Sequence, residues 1–286
     1  MKKIFTLIAV ATMAISAQAQ DAEKMLFDQS ATVADGQEFA TANAKLTLGA
    51  DQKKWTVGAT TIKEDGYFKD FGKTVQIKNS DTDEVEDKFG IVTVTGGNNP
   101  KDQTAAGKGS GVNYAADKTT GRLPQNGTYY IFTAQKKGKV QAGIILNNDK
   151  AFYLVDATNA ASSEDGAYLE IALPDANLHN YVIKDKDGNA VELADDSDAK
   201  GGKIVTDKTT GILEFDAEAG HTYYYFCSGS KLGIFGYIFT PESTEGISTI
   251  AVDKAQNSAA YNLAGQKVSE GFKGLVIKNG KKFVVK

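Results

Sequence analysis

Between residues 74 and 240 the chain runs as short apolar segments separated by clusters of Gly, Asn and Asp. The segments at 74–78, 90–95, 128–134, 139–146, 151–155, 167–173, 181–184, 190–193, 211–215, 222–227 and 233–240 are four to eight residues long and rich in β-branched and aromatic side chains. Such lengths and compositions predict strands joined by turns. Asp187-Gly188 sits between two of these segments, Asn279-Gly280 separates 275–277 from 283–285, and Asn126-Gly127 leads into Thr128. These dipeptides tolerate the positive φ angles of tight hairpin turns. No long amphipathic helix with caps is legible after the N-terminal region. The pattern predicts an all-β protein: a jelly-roll-like β-sandwich over 20–241, irregular over 20–89, followed by a small C-terminal β unit. Pro241 and the packing-poor stretch 242–246 read as the end of the sandwich and a linker, leaving 247–286 as that unit.

One internal similarity refines this picture. Asp117-Lys118-Thr119-Thr120-Gly121 recurs as Asp207-Lys208-Thr209-Thr210-Gly211. Each copy precedes a near-copy strand, Thr128-Tyr129-Tyr130-Ile131-Phe132 and Thr222-Tyr223-Tyr224-Tyr225-Phe226. The unequal spacing excludes a solenoid period and fits two equivalent corners of a pseudo-symmetric sandwich. Alternation along a strand puts Tyr129 and Ile131 on one face and Tyr130 and Phe132 on the other. One pair is therefore expected outside the core, forming a tyrosine-lined sheet surface.

The N-terminus has a different pattern. Lys2 and Lys3 precede an uncharged, mostly apolar run at 4–15, and Ser16-Ala17-Gln18-Ala19-Gln20 follows. This is the layout of a secretory signal peptide over 1–19, with the cut between Ala19 and Gln20. The run is shorter than the roughly 20 residues of a membrane-spanning helix, and no later stretch is long enough, so no transmembrane segment is expected in the mature chain. The formal net charge is −4, and losing Lys2 and Lys3 makes it −6. An acidic chain of this kind disfavours nucleic acid as a partner. Cys227 is the only cysteine; it sits in the apolar run 223–227 and reads as a small buried hydrophobe.

The C-terminal unit contains Ala260-Tyr261-Asn262-Leu263-Ala264-Gly265-Gln266-Lys267-Val268, then Lys273-Gly274-Leu275-Val276-Ile277 and a basic end. It resembles the C-terminal sorting domain of type IX secretion cargo, departing at Val276, where that family often has Tyr. The resemblance implies the secretion machinery as a partner and delivery to the medium or outer cell surface of a Gram-negative bacterium, with the periplasm as the alternative. The region 90–240, through Leu123–Thr133, Ala219–Phe226 and Gly229–Gly236, loosely resembles jelly-roll or galactose-binding-like modules of secreted polysaccharide-degrading systems. That likeness implies a galactose-binding-like or jelly-roll sandwich, of a kind that often binds sugars; with the tyrosine-rich strands and no catalytic signature, the expectation is a non-catalytic glycan-binding module.

A sugar site uses aromatic faces with nearby polar groups that fix the hydroxyls. Trp55, Tyr67, Tyr114 and Tyr129 are the candidate ligand-binding residues. No catalytic set is assigned: zinc-ligand spacing, a phosphate loop and a nucleophile elbow are all missing. No cofactor is expected. Asp81-Thr82-Asp83-Glu84 and Asp195-Asp196-Ser197-Asp198 offer the hard oxygens that Ca²⁺ takes, against a reading as solvated turns. Alternatives to glycan binding are a polysaccharide lyase or glycoside hydrolase, and a structural or adhesive surface protein without a small ligand.

Overall fold

The computed structural model describes residues 21–50, 55–100, 120–162, 164, 169–172, 178–195, 202–229, 232–243, 260–262, 265–269, 271–278 and 281–285. The strands are β1 (Glu23–Leu26), β2 (Glu38–Ala40), β3 (Ala44–Leu48), β4 (Thr56–Thr61), β5 (Lys73–Lys78), β6 (Val85–Thr95), β7 (Thr120–Leu123), β8 (Tyr129–Ala134), β9 (Gly138–Leu146), β10 (Phe152–Asp156) and β11 (Ala161–Ser162). They continue as β12 (Leu169–Ala172), β13 (Val182–Lys184), β14 (Ala194–Asp195), β15 (Lys203–Ile204), β16 (Thr209–Ala217), β17 (Thr222–Cys227), β18 (Gly233–Pro241), β19 (Ala260–Asn262), β20 (Lys267–Val268), β21 (Gly274–Lys278) and β22 (Lys281–Val285). The helical element among the described residues is a single 3₁₀ turn at Lys69–Phe71. The protein is all-β, and its main body is a β-sandwich.

One sheet runs β13-β16-β9-β18-β6-β4, with β1 added to β18 and β5 to β6; the second runs β14-β15-β10-β17-β8-β3-β2. Their facing sides make the main core. Val140, Ala142 and Ile144 of β9 and Leu213 and Phe215 of β16 meet Tyr130 and Phe132 of β8 and Tyr223 and Tyr225 of β17. These residues alternate along each strand, as a pleated sheet with one face inward requires.

The second sheet is covered on its other face too. Tyr129, Tyr153, Val155, Tyr224 and Phe226 pack there with Leu123 of β7 and Ile171 of β12, two strands of a small third sheet ordered β11-β12-β7. Tyr129 is only 8% exposed and stacks on Tyr224 at 5.7 Å between ring centroids. The expected tyrosine-lined outer surface does not exist, because a third layer lies over it. This explains why 222–227 shows no polar alternation: a strand covered on both faces reads as a continuous apolar run.

The first sheet is covered by a loop. Phe68 and Phe71, from the stretch between β4 and β5, pack with Ile91, Ile212, Phe235 and Ile238 on its outer face. A bulge in β18 makes this possible. The pairing shifts between Ile234 and Gly236, so Phe235 joins the outer cluster while Ile234, Tyr237 and Phe239 all point inward. Gly236 has φ +132°, and a Cβ there would lie 2.3 Å from the Met25 carbonyl oxygen of β1. Only glycine accepts both that conformation and that approach.

The repeated strands are direct neighbours. β8 pairs antiparallel with β17, and their successors β9 and β18 pair antiparallel in the opposite sheet. Each copy of the motif thus crosses from the second sheet to the first at an equivalent corner. The preceding copies differ: Thr120 enters the small third sheet and Thr209 the first sheet.

Two segments depart from the sequence expectations. Within 20–89, expected to be irregular apart from the strand at 74–78, the chain also supplies β1 to β4 and the start of β6, distributed over both large sheets. Their weak signal has a physical source, since β2 and β4 are peripheral strands whose exposed positions carry Glu, Ala, Thr and Gly. Residues 190–193 make one bridge, Lys184 to Ala190, instead of a strand.

The chain divides into two compact units, Met1–Ser243 and Thr244–Lys286, and the break falls within the stretch 242–246. The second unit is a four-stranded antiparallel sheet ordered β20-β19-β21-β22. Lys278 lies opposite Lys281; Asn279 and Gly280 are outside the described residues. Val276 is buried, while Tyr261, Phe283, Val284 and Val285 are exposed.

Candidate functional site

Three strands of the first sheet bring polar side chains to one place on its outer face. Glu214 of β16 stands opposite Gln141 of β9 and Val182 of β13, with Lys184 two positions further along β13. The pleat puts Gln141, Glu214 and Lys184 on the side away from the core. The loop after β4 then lays Tyr67 over them, and Phe68 and Phe71 anchor that loop in the apolar cluster beside it.

The result is a dense polar knot. The Tyr67 hydroxyl donates to Glu214 Oε1. Gln141 Nε2 donates to the same oxygen at 2.7 Å, and Lys184 Nζ lies 3.0 Å from Glu214 Oε2. Lys184 Nζ also sits 5.3 Å from the centroid of the Tyr67 ring. Glu214 is 5% exposed, so its charge survives only because every oxygen is matched. Burial alone would raise the Glu214 carboxyl. Hydrogen bonds from Tyr67, Gln141 and Lys184 outweigh it and hold the group below its usual range. The Tyr67 hydroxyl moves the other way, raised by burial and by the carboxylate that accepts its proton.

The loop is also tied to the β13 turn. Tyr67 N donates to the Lys186 carbonyl at 2.9 Å. Asp185 Oδ1 accepts the backbone N–H groups of Asp187 and Asn189, both at 2.9 Å. Gly188 turns the chain with φ +84° and lies against the Tyr67 ring, as its place in the Asp187-Gly188 pair predicted.

Beside this knot is an open cleft of about 1040 Å³. Three segments form its walls: residues 60–69, residues 185–187 and residues 208–210. Tyr67 gives an aromatic wall, and Thr60, Thr61, Thr209 and Thr210 give hydroxyls. Lysines and aspartates complete the rim. The cleft is large enough for a small oligosaccharide, since ligand sites run from about 300 to 1,000 Å³.

Of the four aromatic residues singled out from the sequence, the three described ones, Trp55, Tyr67 and Tyr129, do not converge. Trp55 is half-buried against the main core, 5.9 Å from Tyr130, with Nε1 donating to Asp35 Oδ1 at 2.8 Å. Tyr129 is buried in the second cluster, so it is withdrawn as a ligand-binding residue. Tyr114 lies outside the described residues. Among the three described ones, Tyr67 lines the cleft. Gln141, Lys184 and Glu214 were missed, although Glu214 carried a signal: a lone carboxylate in the otherwise apolar run 211–215.

Two further candidates lie in a turn and in the core, and a third is only partly described. Asp83 lies in an exposed turn 2.9 Å from Lys78 Nζ, and Asp195 pairs with Lys203. Residues 196–198 lie outside the described residues, as do Ala19 and Gln20. Among the described residues no three His, Cys, Asp or Glu side chains gather as a metal-binding group. Cys227 is buried, and burial pushes its thiol up to about 12. No helix among the described residues is long and apolar enough to cross a membrane. No family model matches the chain, and no curated protein is similar to it.

Proposed function

We propose that the protein is a non-catalytic glycan-binding module that works in the medium or on the outer cell surface, and that the cleft beside Tyr67 holds the sugar. The observation that carries this reading is the cleft itself, where an aromatic wall stands among threonine hydroxyls, ammonium groups and carboxylates. Pyranose rings present apolar faces and a fringe of hydroxyls, and such a lining matches both. Proton-transfer chemistry fits the same residues poorly. The Tyr67 hydroxyl is already donated to Glu214 and is harder to ionise than a free phenol. Both Glu214 oxygens are occupied as well. A lyase base or a glycosidase carboxylate must be at liberty to take or give a proton.

A glycan array followed by calorimetry on the full chain tests the reading. At least one oligosaccharide should bind with micromolar to millimolar affinity. Tyr67→Ala should weaken it about fivefold, since a stacked aromatic contributes on the order of 1 kcal/mol. A blank array, or binding indifferent to Tyr67, would end it.

Delivery belongs to the same proposal. Cleavage after Ala19 exports the chain, and the unit from residue 244 onward directs it across the outer membrane. In a Gram-negative host with type IX secretion, the full chain should reach the medium or surface, while a chain ending at Ser243 should stop in the periplasm. Cell fractionation separates the two outcomes, and surface delivery of the shortened chain would remove the sorting role.

A further inference from the structure

We propose that the cleft beside Tyr67 selects acidic oligosaccharides, with Lys63, Lys69 and Lys208 as the residues that read their carboxylate or sulfate groups. The inference rests on the glycan-binding reading and narrows it to a ligand class. Its basis is the charge left over in the cleft once internal pairs are accounted for. Lys186 is held by Asp187, and Lys184 is held by Glu214 beside the cleft. Asp185 is turned onto the backbone of its own turn. Asp185 keeps its charge there, because those N–H groups hold its carboxyl below the usual range, so what remains on the lining is Lys63, Lys69 and Lys208 against Asp65 and Asp185, a surplus of one positive charge. These three lysines are exposed, and none is ion-paired among the described residues.

Their placement matters as much as their number. Lys63 and Lys69 come from the loop between β4 and β5, and Lys208 from the turn entering β16. Two walls of one concavity therefore carry the three lysines. The chain as a whole is acidic, with 36 carboxylates against 32 basic residues. Charges more than about 8–10 Å apart are largely screened at physiological salt, so an anionic sugar in the cleft experiences these lysines more than the net charge. Carboxylate and sulfate both accept from ammonium groups, and charge-assisted bonds are stronger than those to neutral hydroxyls.

The experiment is calorimetry of the full chain with three probes of equal length: an oligogalacturonate, a sulfated galacto-oligosaccharide and a neutral galacto-oligosaccharide. At least one acidic probe should bind about tenfold tighter than the neutral one, equivalent to about 1.4 kcal/mol. Its affinity should fall as sodium chloride is raised. The combined variant Lys63→Ala, Lys69→Ala and Lys208→Ala should remove the preference, and the corresponding Arg variant should keep it. The three side chains are exposed, so both variants should unfold at the wild-type denaturant midpoint. Neutral and acidic probes binding equally, or an acidic preference that survives the Ala variant, overturns the charge reading and leaves the glycan reading standing. If none of the probes binds and the array is also blank, both readings fall.

Discussion

Phe132→Ala is expected to lower the unfolding free energy by about 3–5 kcal/mol. The ring sits on β8 of the second sheet and meets Phe215 at 5.9 Å, Tyr237 at 5.3 Å and Phe239 at 6.1 Å, all from the first sheet. It is fully buried and joins the two layers at the centre of the sandwich. Truncation removes apolar area and leaves a cavity that sheet-bound neighbours cannot collapse into, because their backbones are pinned by ladders on both sides. For a unit of this size the melting temperature should fall by roughly 2–4 °C per kcal/mol. Denaturant unfolding should show a lower midpoint at an unchanged slope. A loss below about 1 kcal/mol would mean that the two sheets are not held together through this ring.

Glu214→Ala is expected to cost about 2–3 kcal/mol. It strips the partner from the Tyr67 hydroxyl, from Gln141 and from Lys184 at once. A fully buried ion pair broken on one side costs about 3–5 kcal/mol; the lower figure applies here because Lys184 is 31% exposed and can turn to water. Glu214→Gln keeps an acceptor for Tyr67 and should cost less. The two variants also differ from the wild type in pH dependence. The folded Glu214 carboxyl is depressed from its ordinary value of 4.5. Its contribution is therefore fully present above about 4.5 and is lost as the pH falls through the lower folded value. Unfolding midpoints measured from pH 7 down to pH 3 should show the wild type losing part of its advantage over Glu214→Gln in that acidic window. An advantage that stays constant across the window would show that the carboxylate is not stabilised by its partners.

These two sites differ in how far the sequence reveals them. Phe132 lies in a run whose strand character and apolar weight are local properties, and its burial follows from the pleat. The Glu214 site is a different case. Tyr67 and Glu214 are 147 positions apart, and Gln141 and Lys184 come from two further strands. Periodicity shows that Glu214 interrupts an apolar run, yet it cannot name a partner brought in by sheet order. Tyr129 was singled out from strand alternation, and alternation does not say whether a third layer covers the outward face.

The sequence by itself determined the all-β class, most of the strands from residue 74 onward, the turn at Asp187-Gly188, the break near Pro241 and the likeness of the two tyrosine-rich strands. All of these rest on local chemistry: side-chain alternation, backbone freedom at glycine and the stiffness of proline. The tertiary structure alone decided that the two copies pair directly and that a small third sheet covers Tyr129. It also decided that a bulge at Phe235 reverses which side of β18 faces the core, and that the loop carrying Tyr67 closes over Gln141, Lys184 and Glu214. Those outcomes depend on which strands become neighbours, and that is set by the packing of the whole sandwich, not by any single segment.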